Sequence, residues 1–274
     1  MPYKIIFSDI DGTLLNSKKV LSDHTIETIQ NISDKIPFVL ISARMPKAMH
    51  HLQDDLNIKH YPIIAYNGGL VMVGEKTISS TTIPIEIVEK LHEFNSELNC
   101  HLSLYHEDEW YVPQIDKWSE REEANTKVAP EVKPNAEAIK KWKNEGKGAH
   151  KVMAMGTEED IDSIRDYLNK NFPEELHLYR SKSTYLEIAN RNISKFSAIQ
   201  LLLKEHYQMD IKDCIAFGDN YNDVEMIEGV GMGIAVANAR DEVLRVANTV
   251  THAGIEDGVA KSLRELFKLQ NSRV

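Results

Sequence analysis

Short apolar runs alternate with amphipathic segments along the first third of the chain. Ser22 can cap a helix whose isoleucines recur at helical spacing, and Pro46 suits the first turn of a helix over residues 45–56. Strands separated by helices of about a dozen residues predict βαβ units and a parallel sheet. Three of the apolar runs have the length and composition of buried parallel strands: residues 4–8, 37–41 and 62–66.

The last third of the chain has the same character. Apolar runs predict strands at residues 214–217 and 231–236. Apolar residues at helical spacing predict helices at residues 196–207, 241–247 and 258–269. The two ends together therefore predict one α/β domain, built on a doubly wound, Rossmann-like parallel sheet.

The middle of the chain follows an α+β pattern. Two helices, at residues 84–98 and 158–170, alternate with short strands in hairpin-like pairs, at residues 101–105, 110–112, 151–155, 176–179 and 185–188. Strands at residues 70–73 and 77–82 precede this region. We therefore expect a doubly wound core, residues 1–82 and 190–274, and an inserted α+β domain, residues 83–189. Hinges are expected near 80–84 and 188–192.

The composition of the chain limits the classes of binding partner and the location that can be expected. The 274 residues include 32 Lys and Arg against 42 Asp and Glu, a net charge of −10 at pH 7, which disfavours nucleic acid or an anionic membrane as partner. No apolar run approaches the ~18 residues that span a bilayer, and the N-terminus lacks the pattern of a secretory signal. Two cysteines, Cys100 and Cys214, are too few for a disulfide framework. The cytoplasm is the expected location.

Polar clusters follow four of the predicted core strands: Asp9-Ile10-Asp11-Gly12-Thr13, Ser42-Ala43-Arg44, Asn67-Gly68-Gly69 and Gly218-Asp219-Asn220-Tyr221-Asn222-Asp223. Because the carboxyl ends of parallel strands meet at one edge of a sheet, these loops should converge. Carboxylates that lie this close together repel each other unless a hard cation lies among them, and oxygen ligands suit Mg²⁺.

Each cluster also has a purely structural interpretation. The first is compatible with an Asx-type turn, and the last with a loop of turn residues. Lys195 also has a structural interpretation, because a lysine near the start of a helix is usually solvated. The coincidence of four clusters at strand ends of one predicted sheet favours a shared site.

These motifs resemble those of the haloacid-dehalogenase superfamily of phosphohydrolases. The resemblance rests on Asp9-Ile-Asp-Gly-Thr-Leu-Leu, Ser42, Lys195 and the loop 218–223. Asn67-Gly-Gly, the inserted α+β domain and the segments 232–239 and 256–260 resemble the Cof-type subgroup, which has a large α/β cap. The resemblance implies that residues 1–82 and 190–274 are the catalytic core and that residues 83–189 are a cap for substrate specificity. The resemblance covers nearly the whole chain.

The resemblance implies catalytic and metal-binding roles. Asp9 would be the nucleophile, forming an aspartyl-phosphate, and Asp11 would protonate the leaving oxygen and then accept a proton from water. Asp9, the main-chain carbonyl of Asp11 and Asp219 would bind Mg²⁺, and Asp223 would support the water shell of the metal. An acid at position 11 is, within the family, a feature of phosphatases and phosphomutases.

The resemblance also implies a set of phosphate-binding residues. Ser42 would donate its hydroxyl, Ala43 its backbone N–H and Asn222 its amide to phosphate oxygens. Lys195 would neutralise charge in the transition state, and Gly12 would let the backbone approach the anion.

Other residues are weaker candidates. The pairs His50-His51 and Asp54-Asp55 on one helix could bind metal but fit a solvated face better. The basic segment 140–151 fits a cap surface better than a nucleic-acid patch. Five residues of the cap hairpins could read substrate: Glu107, Asp108, Tyr111, Arg180 and Ser181.

The resulting expectation is a Mg²⁺-dependent phosphatase of small phosphate monoesters, such as sugar phosphates or the phosphorylated cofactors FMN and pyridoxal phosphate. Two alternatives stay open: a hexose phosphomutase, and a phosphometabolite-binding regulator without turnover. The partner in each case is a small phosphorylated metabolite, and the oligomeric state is left undetermined.

Overall fold

The computed structural model describes residues 3–269, which divide into two compact units. The first unit contains the described residues up to 44, residues 49–78 and those from 194 onward. The second contains residues 45–48 and 79–193. That the two units act as catalytic core and substrate-selecting cap, divided at 82/83 and 189/190, stays a prediction. Within the described range, no helix is both long and apolar enough to cross a bilayer.

The strands and helices follow the predicted alternation. In chain order the strands are β1 (Ile5–Ser8), β2 (Phe38–Ile41), β3 (Ile63–Ala65), β4 (Leu70–Val73), β5 (Lys76–Ser80), β6 (His101–His106), β7 (Glu109–Val112), β8 (Glu131–Val132), β9 (Lys151–Met155), β10 (Leu176–Lys182), β11 (Tyr185–Asn190), β12 (Cys214–Gly218), β13 (Met232–Val236) and β14 (Thr249–Thr251). The helices are α1 (Asp23–Ser33), α2 (Lys47–Leu56), α3 (Ile85–Asn95), α4 (Lys117–Thr126), α5 (Asn135–Glu145), α6 (Glu158–Asn171), α7 (Lys195–Leu202), α8 (Val224–Gly229), α9 (Asp241–Val246) and α10 (Gly258–Phe267).

The described residues contain a sheet in the order β14-β13-β12-β1-β2-β3-β4-β5, which belongs to the first unit except for the last two residues of β5. The pairs from β14 through to β3 are parallel, and β4 is antiparallel to β3. The strand order reverses at β1, which has β2 on one side and β12 on the other. This is the switch point at which open α/β sheets bind ligands. The predicted fold class is confirmed.

The predicted cap of helix α1 is present. The Ser22 hydroxyl accepts a hydrogen bond of 3.0 Å from the Thr25 N–H, which satisfies one of the free donors at the start of a helix. Ile29 and Ile32 lie on the buried face of the helix. The central strands β1 and β2 are buried along their whole length, as their apolar runs predict.

The described residues of the second unit contain a sheet in the order β10-β11-β9-β6-β7-β8. Its pairs are antiparallel except β7 with β8. Helices α3, α5 and α6 bury their apolar residues with one set of strand side chains, which include Leu102, Leu104, Val152, Leu186 and Ile188. The predicted hinge segments are joined here, because the Asn190 side chain donates to the Thr82 carbonyl at 2.8 Å.

The prediction of two helices in the inserted region was wrong, because α4 and α5 were missed. Helix α4 buries Ser119 and Thr126 but no large apolar residue, so it has no hydrophobic period to detect. Its start is set by Asp116, whose side chain caps the first turn. Helix α5 has a short apolar stripe, Ala138, Ile139 and Trp142. These residues pack in the core of the second unit, and this packing stabilises α5.

His150 is a fully buried neutral histidine of the second unit. Its Nε2 lies 3.0 Å from the Ser80 Oγ, and its Nδ1 accepts from the Glu107 N–H at 3.1 Å. Because Nδ1 is the acceptor, Nε2 carries the proton. Burial, and then the neighbouring His106, lower the pKa of His150 to about 3. The protonated ring would lose the Glu107 hydrogen bond.

We expect His150 to make the second unit less stable in acid. Between its ordinary pKa of about 6.5 and its folded value, the unfolded chain binds the proton and the folded chain does not. Stability is therefore lost as the pH falls below 6.5, by about 1.4 kcal/mol per pH unit from this group. Urea unfolding between pH 7 and pH 4.5 should show a shallower decline for His150→Gln than for the wild type. The exposed-site control His206→Gln should keep the wild-type slope; equal slopes for both variants would contradict the prediction.

Candidate active site

The ends of adjacent parallel strands carry the predicted site residues. Asp9 directly follows β1, Ser42 directly follows β2, and Asp219 directly follows β12. The Asp9 N–H donates to the Phe217 carbonyl at 3.0 Å, which continues the β1–β12 pairing up to the site. Residues more than 200 positions apart thus meet at one edge of the sheet, as predicted.

Within the described part of the chain, three carboxylates form a cluster that could hold a metal ion. Asp9, Asp219 and Asp223 each offer one oxygen, and these oxygens lie within 4.8 Å of one another. Asp223 is oriented by its own loop, because its Oδ2 accepts from the Asp219 N–H at 2.9 Å and the Asn220 N–H at 3.0 Å. The backbone of the loop after β12 therefore fixes the Asp223 carboxylate beside the Asp219 carboxylate.

Lys195 is the cation of this cluster. Its side chain is fully buried, and its Nζ lies 2.5 Å from Asp9 Oδ1 and 2.6 Å from Asp223 Oδ1. Burial disfavours the ammonium, but Asp223 and Asp9 outweigh burial and raise the pKa of Lys195. The solvated alternative for Lys195 is excluded by this burial.

Two local features place Lys195 at the cluster. It is the first residue of α7, and Ser194 and Ser197 form a capping box that sets the start of this helix. Gly68 packs against the same turn, because a Cβ added at Gly68 would lie 2.4 Å from the Ser194 carbonyl oxygen. The cluster Asn67-Gly68-Gly69 therefore serves to seat α7, a role that sequence reasoning missed.

The cluster holds more negative charge than Lys195 neutralises. Burial, together with Asp223 and Asp219, raises the pKa of Asp9 against the opposing effect of Lys195. Burial and the charge of Asp223 raise the pKa of Asp219 to about 6. A divalent cation would remove this repulsion, and a donor set made of carboxylate oxygens fits Mg²⁺. The residues present therefore fit the predicted ion.

Asp11 takes different partners from the clustered carboxylates. Arg44 binds it with two hydrogen bonds, 2.7 Å from Nε to Oδ2 and 2.9 Å from Nη2 to Oδ1, and Lys19 Nζ lies 3.2 Å from Oδ1. Burial acts to raise the pKa of Asp11, but Arg44 and Lys19 outweigh burial and lower it. Roles for Arg44 and Lys19 were missed from the sequence. Metal binding by the Asp11 main chain stays a prediction.

The predicted phosphate-binding residues lie in loops around the cluster. The Ser42 hydroxyl is buried and accepts from the Arg44 N–H at 3.2 Å, so Ala43 lies inside a turn closed by this bond. Asn222 donates to the Asn67 Oδ1 at 2.9 Å. Phosphate binding by Ser42, Ala43 and Asn222 stays a prediction.

Gly12 is required by its surroundings. It has a φ of +93°, and a Cβ at this position would lie 2.3 Å from Asp219 Oδ2. A side chain would therefore both strain the backbone and displace a carboxylate of the cluster. This packing adds a second reason for glycine to the one expected from sequence.

The remaining sequence candidates lie on α2 and in the second unit. The helix α2 carries His50, His51, Asp54 and Asp55, and the exposed Asp54 pairs with Lys59. In the basic segment, Lys141 and Lys147 bind Glu109, and Lys143 binds Glu89. Glu107 and Asp108 form the turn between β6 and β7, Tyr111 donates to Glu109, and Arg180 binds Asp162. The side chain of Ser181 lies outside the described part of the structure.

Known proteins resemble this chain along nearly its whole length. The model of one family, the haloacid dehalogenase-like hydrolases, matches residues 6–263. The chain is 30% identical over 278 residues to the 5-amino-6-(5-phospho-D-ribitylamino)uracil phosphatase YitU of Bacillus subtilis, covering 98% of each chain. A haloacid dehalogenase-like hydrolase from Bacteroides thetaiotaomicron is similar with a TM-score of 0.88 and 28% identity, covering 97% of this chain and 100% of the other. The sugar phosphatase BT4131 shares the fold, with a TM-score of 0.78 and 24% identity, covering 97% and 100% of the two chains.

Proposed function

This chain belongs to the haloacid dehalogenase-like hydrolases and is a phosphatase; we propose that it hydrolyses small-molecule phosphate monoesters with Mg²⁺, through an aspartyl-phosphate. The observation that carries the proposal is the buried cluster in which Asp9 contacts Lys195 and lies beside Asp219 and Asp223. The runner-up functions are a hexose phosphomutase and a metabolite-binding regulator.

Asp9 is the nucleophile of the proposed reaction. Its carboxylate oxygen bonds to phosphorus as the bond from phosphorus to the leaving oxygen breaks, which divides a slow hydrolysis into two steps. The carboxylate repels an approaching phosphate dianion by about 8 kcal/mol, because each of the two pairs of unit charges contributes ~4 kcal/mol at ~4 Å and an effective dielectric constant of ~20. The buried ammonium of Lys195 offsets part of this repulsion at the reacting atoms.

Asp11 moves the protons. In its protonated form it donates to the leaving alkoxide, and as a carboxylate it then takes a proton from the water that hydrolyses the aspartyl-phosphate. The two hydrogen bonds from Arg44 favour the carboxylate, which is the form needed for the second step. Protonation for the first step requires that the Arg44 contacts loosen when substrate binds.

Asp9, Asp219 and the main-chain carbonyl of Asp11 would hold the metal ion, with Asp223 supporting its water shell. When bound, Mg²⁺ supplies positive charge that screens the clustered carboxylates and stabilises the phosphoryl group. Ser42, Ala43 and Asn222 would orient the phosphate oxygens.

The substrate is proposed to be a phosphorylated sugar or cofactor precursor. The relative YitU is named for a phosphate ester of a ribitylamino-uracil, and BT4131 is named a sugar phosphatase. Residues 83–189 would select the leaving group. The net charge of −10 disfavours a nucleic-acid substrate, and the buried free thiols of Cys100 and Cys214 suit the reducing cytoplasm.

Phosphate release from a panel of phosphorylated metabolites tests the proposal. We expect release from sugar phosphates or phosphorylated cofactor precursors with Mg²⁺, and loss of release with EDTA that added Mg²⁺ restores. Isomerised product in the presence of a sugar bisphosphate would favour the phosphomutase instead. Binding of sugar phosphates with no release by the wild type, and no change on Asp9→Asn, would favour the regulator.

Removing the Arg44 side chain should change the titration of Asp11. In Arg44→Gln the carboxylate loses two charged hydrogen bonds, so the pKa of Asp11 should rise. Lys19→Gln removes one longer contact and should raise it less. Carbon-13 NMR titration of the Asp11 carboxyl carbon measures both shifts, and the pH profile of phosphate release should move in the same direction. An Asp11 titration that is unchanged in Arg44→Gln would contradict this coupling.

A further inference from the structure

Asn238 links two segments that the proposed mechanism leaves without a role. It lies in the loop after β13, within the segment 232–239, and reaches the turn at residues 254–256 that precedes α10. Its Nδ2 donates to the Gly12 carbonyl at 2.9 Å, and its Oδ1 accepts from the Gly254 N–H at 2.8 Å. One carboxamide therefore joins the catalytic loop to the turn before α10.

The packing at this contact is close. A Cβ added at Gly254 would lie 2.5 Å from the Gly12 carbonyl oxygen and 2.8 Å from the Thr13 carbonyl oxygen. The turn thus lies directly against the loop that carries Asp9 and Asp11. The Asp257 side chain, at the end of the same turn, accepts a hydrogen bond of 2.6 Å from Ser22 at the start of α1. The turn is therefore fixed from two sides.

The loop after β13 also holds the other side of the carboxylate cluster. The Arg240 N–H donates to the Asp219 carbonyl oxygen at 2.8 Å. The Thr13 hydroxyl donates to Asp219 Oδ1 at 3.1 Å. Two residues of one short loop, Asn238 and Arg240, thus bind the loop after β1 and the loop after β12.

We infer that Asn238 is a positioning residue for the ion site. The inference rests on the proposed function. Asp9 and Asp219 repel each other, so their loops need a fixed separation that does not depend on the ion alone. The carboxamide suits this task because it offers a donor to Gly12 and an acceptor to Gly254 at once. A carboxylate at this position would place an acceptor against the Gly12 carbonyl oxygen.

Calorimetric titration with MgCl₂ tests the inference in the full chain. Asn238→Ala removes both hydrogen bonds, and we expect Mg²⁺ binding to weaken by at least about tenfold, as for other groups that orient metal ligands. Asn238→Asp keeps the shape and the acceptor for Gly254, and loses the donor to Gly12. Its extra negative charge would by itself tighten Mg²⁺ binding, so weaker binding in Asn238→Asp identifies loss of position as the cause. If Asn238→Ala does not fold, Asn238→Asp carries the test.

Asn248→Ala is the matched control. The Asn248 Oδ1 accepts from the Gly233 N–H at 2.7 Å, which is also a loop amide bond beside β13 but involves no loop of the cluster. Its Mg²⁺ affinity should equal that of the wild type. In the Asn238 variants, kcat should fall at limiting Mg²⁺, while KM for the phosphate ester at saturating Mg²⁺ stays at the wild-type value.

The outcomes separate this inference from the proposed function. Suppose that the wild type releases phosphate, and that the Mg²⁺ affinity of Asn238→Ala is unchanged or Asn238→Asp binds Mg²⁺ more tightly. This result would overturn the role of Asn238 and leave the proposed function standing. Weaker Mg²⁺ binding in both variants, with no phosphate release even from the wild type, would support the role of Asn238 and overturn the function. Equal weakening in Asn248→Ala would also overturn the role of Asn238.

Discussion

Asp9→Asn is expected to abolish phosphate release, with a loss of at least about 10⁴-fold in kcat. The carboxamide has nearly the shape of the carboxylate but is a far poorer nucleophile, so the aspartyl-phosphate cannot form. The substitution also removes one of the oxygen anions in the cluster and one of the two carboxylates that contact Lys195. Phosphate release under saturating substrate and Mg²⁺ measures the loss, with circular dichroism to confirm the fold.

Asp166→Asn is the matched control for this result. Asp166 lies on the exposed surface of α6, where its carboxylate pairs with Arg165, so the same chemical change should leave turnover unaltered. Acid quenching of the wild type during turnover should yield a phosphorylated peptide that contains Asp9. Turnover by Asp9→Asn close to the wild-type rate, or a phosphoryl group on a different residue, would contradict the nucleophilic role.

Lys195→Met is expected to lower both activity and stability. Loss of the cation that faces the developing charge should reduce kcat by about 10²–10³-fold, as for removal of a single donor in a preorganised site. Stability falls as well, because Asp9 and Asp223 are left buried with their ammonium removed. Breaking a buried ion pair costs about 3–5 kcal/mol. Phosphate release and urea unfolding measure the two effects.

The repulsion left by Lys195→Met gives further checks. Added Mg²⁺ should recover part of the lost stability, since the ion supplies positive charge to the same carboxylates. Lower pH should recover part of it too, because protonation removes charge from the cluster. The control Lys204→Met changes an exposed lysine beyond the end of α7 and should match the wild type in both assays. A Lys195→Met protein as stable and as active as this control would refute the assignment.

The sequence predicted the core of this fold well, because its central strands are buried on both faces. Strands such as β1 and β2 appear as continuous apolar runs, and the capped helix α1 follows between them. The same logic failed for α4 and α5. Helix α4 has little apolar surface, and the apolar stripe of α5 is short, so neither gives the extended periodic pattern on which the prediction depends.

The candidate site was predicted from two kinds of information. Strand-end position alone brought Asp9 and Asp219 together, while the importance of Lys195 came from resemblance and was compatible with a solvated lysine. The structure resolves that ambiguity by burying Lys195 between Asp9 and Asp223. The pairing of Arg44 with Asp11 had no signal in the sequence beyond the proximity of Arg44 to Ser42.

Local order along the chain therefore determined the elements, their direction and the edge of the sheet at which polar residues collect, because these follow from periodicity and from the parallel βαβ connection. The tertiary structure decided which side chains touch there. It set the Arg44–Asp11 pair, the seating of α7 against Gly68 and the Asn238 bridge between Gly12 and Gly254. Such contacts depend on differences of about an ångström between loops far apart in sequence, and hydrophobic patterning carries no information at that scale.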